Sequence, residues 1–216
     1  AEYNRSIALM KIVKHVWMEA YDEVWGIEQT QTYVPKLIQL IGNVAYTESG
    51  MILGQAEGGL KVTLFRVNEI DVDNIDPITL NEFYFKTMHH EFTHILNQKK
   101  AYDPAFDRIS ESEYVGSSWY QIDDEEALQK GCISPYAMDR ATEDFAEMVS
   151  IYVTNTAEDW EYWMRTAGNT GRPILERKFE IVYNYMKDSW GIDLNQLREI
   201  VQRRQNEISL LDLSTL

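Results

Sequence analysis

The run His90-Glu91-Phe92-Thr93-His94 constrains this chain more than any other stretch. It lies in a segment that reads as helix on independent grounds. Asp76-Pro77 ends what precedes it, Thr79 and Glu82 form a T-x-x-E capping box, and the helix is expected to run to about Asn97. Four residues advance an α-helix by about 400°, so His90 and His94 lie about 40° apart on one face, one turn from each other. Two imidazole nitrogens can then converge on one metal ion about 2 Å away. Glu91, about 60° from His94, can reach a water on that ion without being a ligand itself. The alternative is a polar helix face that carries two ordinary histidines.

Histidine scarcity narrows the remaining ligands. The chain has four histidines, and outside the cluster only His15 remains. Asn97 and Lys100 stand where a three-histidine site of the metzincin kind needs a glycine and a histidine, so that class is excluded. His89 is about 100° or more out of register with both ligand positions and reads as a packing or supporting residue. His15, on the first predicted helix, reads as structural. The single Cys132 rules out a thiolate cage and an internal disulfide.

A carboxylate must therefore complete the set. Most downstream acids read as solvated surface, and Asp123-Asp124-Glu125-Glu126 as an exposed helix start. Glu143 and Glu147 differ, because they are spaced i, i+4 among Phe145, Ala146, Met148, Val149 and Ile151. Stacked like charges cost roughly a few tenths of a kcal/mol when exposed and far more when partly buried. A zinc ion and a histidine N–H remove that cost. The expected assignment makes Glu143 the third metal ligand and Glu147 the acceptor that orients one of the histidines. Exchanged roles and a merely solvated pair stay open at this point.

With 216 residues, 44% hydrophobic and 12% aromatic, the chain is too apolar for disorder and is expected to form one domain over 1–216. The net charge of -15 argues against nucleic acid and an anionic membrane surface as partners. No apolar run approaches the roughly 18 residues that span a bilayer. Starting at Ala1, the chain is expected to be a processed or cloned segment. Helix is expected over Tyr3 to Val24, and a small, partly antiparallel sheet from Leu37 to Val44, Met51 to Leu53 and Leu60 to Val67. Lys99 to Pro135 reads as a long irregular segment with some short helix. Helices return at Ala141 to Val153, Ala157 to Thr166 (closed by Gly168), Leu175 to Trp190 and Asn195 to Glu207. This order gives an α+β fold in two lobes: 1–99 holds the sheet and motif helix, and 100–216 is mainly helical and carries the third ligand.

H-E-F-T-H followed by Glu143-Asp144-Phe145-Ala146-Glu147 resembles the gluzincin-type zincins, and the acidic helix is similar to that of lethal-factor-type toxins. The runs Met88 to Gln98 and Gly131 to Glu147 resemble more closely the zinc metallohydrolase lipoproteins of Bacteroidota. Gly131-Cys132-Ile133 departs from the more apolar or aromatic residues expected there. The resemblance implies a zincin-like fold, Zn²⁺ as cofactor, and hydrolysis of a peptide or protein substrate with Glu91 as general base. It also implies that Tyr136, seven residues before Glu143, faces the scissile carbonyl. Tyr102, Tyr114 and Tyr120 compete for that role. A substrate peptide is expected to pair with the strand Leu60 to Val67 as a sheet edge, while Trp160, Tyr162 and Trp163 are expected to be core. The family is associated with TonB-dependent outer-membrane import systems, which implies a cell-envelope location and a lipid anchor in the precursor. A non-catalytic zinc-binding accessory role is the competing expectation.

Overall fold

The structure is a computed structural model that describes residues 1–47, 50–52, 54–57 and 61–214. The chain opens with α1 (Tyr3–Val13) and α2 (Glu19–Trp25), joined without a break by a π-helical turn at Lys14–Met18. The buried residues of this rod recur every fourth position: Leu9, Val13, Trp17 and Tyr21 in one row, Ala8, Ile12, Val16 and Ala20 in the other. A four-residue repeat outruns the 3.6-residue α-helix, and the wider i→i+5 turn takes up the drift so that both rows stay on the core side. Gly26, at φ 102, ends the rod where the sequence places the end. The next helix, α3 (Ile27–Tyr33), has no apolar period to announce it.

Next come β1 (Leu37–Leu40), β2 (Ala45–Thr47), β3 (Gly50–Ile52), β4 (Gly54–Glu57) and β5 (Lys61–Leu64). β2 and β3 form an antiparallel ribbon. The other three form a mixed sheet in the order β1-β5-β4, with β1 parallel and β4 antiparallel to β5. The strand expected over Leu37 to Val44 stops at Leu40, with β2 beginning only at Ala45, and Leu53 and Leu60 lie outside the described residues. The expected substrate edge is also corrected. β5 is bonded to a neighbour on each side, and its Val62, Thr63 and Leu64 are buried, so among the described residues the edges are β1 and β4. Gly54 lets β4 lie directly on the motif helix, since a Cβ there would stand 2.2 Å from Thr87 Cγ2.

That helix begins earlier than the capping box predicts. Asp76 is the cap, accepting the Ile78 and Thr79 amides at 3.1 and 3.2 Å, and Pro77 supplies the first helical residue. The Thr79 hydroxyl donates to Asp76 instead of capping. The helix runs as α4 (Pro77–Leu80), a second π turn at Asn81–Phe85, and α5 (Lys86–Lys99). The segment read as irregular holds α6 (Ala105–Ile109), several 3-10 turns and α7 (Asp124–Gln129), capped by Asp123. Then follow α8 (Ala141–Thr154), α9 (Ala157–Asn184) and α10 (Leu194–Asn206). α9 is two helices meeting at Gly168, at φ 64 and ψ -161, the expected stop.

α8 is the central beam, buried from Asp144 to Thr154 and packed against α5, α9 and α10. Trp17 and Tyr21 meet Phe92 of α5 edge-on, with ring centres 5.4 and 4.8 Å apart, while Tyr102 stacks on Phe145 of α8 at 4.2 Å. Trp160 packs on Tyr152 and Phe179 and Trp163 is half-buried, as expected of core residues; Tyr162 instead is exposed. His15 is structural: it lies 3.3 Å from both Glu19 and Glu207, where Arg204 bridges Glu19 and Glu23 and so ties α10 to the first rod. Among the described residues no helix is long and apolar enough to cross a membrane.

Next to the motif site, Lys178 of α9 is wholly buried and pairs with Asp144 at 2.5 Å, while also donating to the Gly131 carbonyl at 2.7 Å. Tyr114 donates to the same Asp144 oxygen at 2.8 Å. Burial still raises the Asp144 pKa, with Lys178 and Tyr114 opposing it. Removing one partner leaves a buried charge uncompensated, so Lys178→Met is expected to cost about 3–5 kcal/mol in urea unfolding. Adding Asp144→Asn to that variant should restore part of the loss.

Candidate metal centre

Packing of α5 on α8 brings His90, His94 and Glu143 to one point. His90 Nε2 lies 3.0 Å from Glu143 Oε2 and 3.0 Å from His94 Nε2, and His94 Nε2 lies 3.1 Å from the same Glu143 oxygen. Donors at about 2.1 Å from one tetrahedral zinc ion would be about 3.4 Å apart, so this triangle needs only a slight opening to hold one. Two imidazole nitrogens and one carboxylate oxygen are also a donor set that zinc accepts. His94 and Glu143 are half-buried and His90 is buried, which leaves one side of the triangle open.

Glu147, one turn further along α8, is buried behind His90. Its Oε1 stands 2.9 Å from His90 Nδ1. With the Nδ1 proton committed there, Nε2 faces a carboxylate oxygen and a second imidazole. The space between the three atoms therefore calls for positive charge, either a second ring proton or a metal ion. The pKa values carry the same message. Burial alone would lower that of His90, but hydrogen bonds to Glu143 and Glu147 outweigh it and lift it to about 10. Burial would raise both carboxyls, yet the two histidines hold Glu143 well below the usual range, and Lys86 with His90 does so for Glu147. Shifts in opposite directions are what imidazoles and carboxylates paired across a buried cluster produce.

The four candidate tyrosines separate clearly. Tyr102 donates to Asp107, Tyr114 is committed to Asp144, and Tyr120 is exposed. Tyr136 alone of the four joins the centre. Its ring centre is 5.7 Å from that of His90, and the Glu143 carboxylate is close enough to act on its hydroxyl. Burial, then the Glu143 charge, raise its pKa far above the ordinary value, so it keeps its proton at neutral pH. Glu91 is half-buried and lines a cleft of about 660 Å³ with His94, Asn97, Gln98, Tyr102 and Glu143.

Sequence reading passed over two residues. Lys86, one turn before His90, stands 3.5 Å from Glu147 Oε2. Ser134 donates to that oxygen at 2.7 Å and accepts the Ala137 amide at 3.1 Å. Ser134-Pro135 does carry the signature of a capped turn, a cap residue followed by proline, but nothing in the sequence connects that turn to Glu147.

His89 turns away into the core, its Nδ1 3.2 Å from the Tyr21 hydroxyl and its ring 5.6 Å from the tyrosine ring. Complete burial lowers its pKa to about 3, so it folds neutral. An unfolded chain gains a proton there below about pH 6.5, whereas the fold resists it down to about pH 3. Its contribution is thus present at pH 7 and is lost on acidification. The difference in unfolding free energy between wild type and His89→Gln is expected to shrink as pH falls from 6.5 toward 3, by up to about 1.4 kcal/mol per pH unit.

Comparison with known proteins identifies the family of the chain. No curated protein matches the chain. The crystal structure of "a putative zinc-binding metallo-peptidase" from Bacteroides caccae superposes with a TM-score of 0.83 at 43% identity, covering 97% of this chain and 80% of that one. A family model described as "Putative zinc-binding metallo-peptidase" matches residues 1–195, and the chain belongs to that family.

Proposed function

We propose that the protein is a zinc-dependent peptidase in which His90, His94 and Glu143 hold the metal. The observation that supports this most is the triangle of donor atoms 3.0–3.1 Å apart, buried on one side and open to a cleft on the other. Zinc, when bound, supplies Lewis-acid polarisation of a carbonyl and draws the pKa of a water toward neutrality. Glu91, on the cleft wall, takes the proton of the attacking water and passes it to the leaving amine. Tyr136, protonated at neutral pH, donates to the carbonyl oxygen as charge develops on it. Glu147 keeps the His90 ring in the tautomer and orientation that aim Nε2 at the metal.

An extended peptide would add to the outer edge of β4, the strand seated on α5 through Gly54. Main-chain bonding of this kind holds a substrate with little demand on its side chains. The net charge of -15 disfavours strongly acidic substrates at long range.

Two measurements test the assignment. With zinc content matched, Glu91→Gln is expected to lose turnover by roughly 10²–10⁴-fold; activity equal to wild type would remove the general-base role and the enzyme reading with it. Tyr136→Phe is expected to lower kcat by about 10²–10³-fold, with zinc affinity unchanged, as for other single oxyanion donors. An unaltered kcat would return the role to another group.

A further inference from the structure

We propose that Ser134 is a positioning residue that fixes the imidazole of His90 and the turn carrying Tyr136 with a single hydroxyl. The inference rests on the roles given above to His90 and Tyr136. It starts from the two oxygens of Glu147, a side chain only 2% exposed. Oε1 receives the His90 Nδ1–H at 2.9 Å, and Oε2 receives the Ser134 O–H at 2.7 Å. The terminal torsion of a glutamate is broad, so a carboxylate held at one oxygen can swing. Held at both, it cannot, and the ring bonded to it is fixed too. Lys86 does not substitute for Ser134. At 3.5 Å and with its side chain 31% exposed, it supplies charge to Glu147 but little direction.

The same oxygen acts in the other direction. A serine hydroxyl has one proton and two acceptor lone pairs. With the proton on Glu147, a lone pair takes the amide of Ala137 at 3.1 Å. That amide belongs to the residue after Tyr136, in the 3-10 turn Tyr136–Met138, and its bond to Ser134 ties down the start of the turn. Its far end is tied by the Val115 amide to the Met138 carbonyl at 2.8 Å. Tyr136 therefore leaves a turn held at both ends. The path His90–Glu147–Ser134–Ala137 connects the ring that ligates the metal with the backbone that aims the oxyanion donor.

The test uses the full chain, with metal binding and turnover read separately. In a competition titration with zinc alone, Ser134→Ala is expected to bind the metal about tenfold more weakly, the lower range for removing a residue behind a histidine ligand. In the zinc-saturated protein its kcat should fall about tenfold with KM within twofold, since Ser134 touches no substrate. In a Tyr136→Phe background the same change should cost kcat clearly less, because part of its effect passes through Tyr136. Zinc affinity and kcat both equal to wild type would overturn the proposal. Losses that multiply fully in the double variant would overturn the Tyr136 half of it. Should Ser134→Ala not fold, Ser134→Cys, close in size but a weak donor, carries the same comparisons. If wild type hydrolyses no peptide, the peptidase reading fails, whereas the zinc titration still decides whether Ser134 holds His90.

Discussion

A carboxylate buried between two helices organises this molecule. Glu147 would be costly inside a protein without compensation, because moving a charge out of water is unfavourable by several kcal/mol. Here each of its oxygens has a dedicated donor and a lysine stands close by. The compensation comes from two separate parts of the chain: α5, which carries Lys86 and His90, and the turn before α8, which carries Ser134. Satisfying this one group therefore fixes how those parts meet, and the centre is assembled as a result. Buried polar groups with every partner in place are directional in a way that apolar contacts are not.

α8 repeats the principle along its length. Glu143, Asp144 and Glu147 lie within two turns of a largely apolar helix, and each faces basic groups, with His90 shared by Glu143 and Glu147. Glu143 points to the histidines, Asp144 to Lys178 of α9, and Glu147 to His90 and Lys86. Two of the three also sit in the first turn, where the helix dipole favours negative charge. The pairing of Asp144 holds α8 from behind while Glu143 reaches forward. A rigid mounting of this kind suits a ligand that must hold its place to a fraction of an ångström.

Much of this was legible in the residues themselves. His90 and His94 share a helix face by spacing alone, and the burial of Glu143 and Glu147 follows from the apolar company they keep. His90, His94 and Glu143 offer donor atoms within 4.8 Å of one another. Tyr136 was reachable only through resemblance, since thirteen tyrosines give spacing little power to choose among them. Other features were not legible. Ser134 meets Glu147 across a chain separation that no local pattern records. The order of the sheet depends on β1 reaching β5 over the ribbon, so the central place of β5 could not be read from its own apolar sequence. Asp76 displaced Thr79 as cap because proline after it presets the first turn.

The π turn at Asn81–Phe85 has a consequence for how the motif helix tolerates change. Such a turn amounts to one extra residue accommodated in a regular helix. It lets the capped start of the helix and the histidine-bearing part each face its own neighbours, although no single α-helical phase suits both. Deleting one residue there would convert the bulge to ordinary α-helix and leave Asp76 to Leu80 at nearly the same rotation relative to the histidines, because the bulge already absorbs the roughly 100° that one extra residue adds. The facing of cap and centre is thus kept although the stretch between them carries one residue more than a regular helix takes.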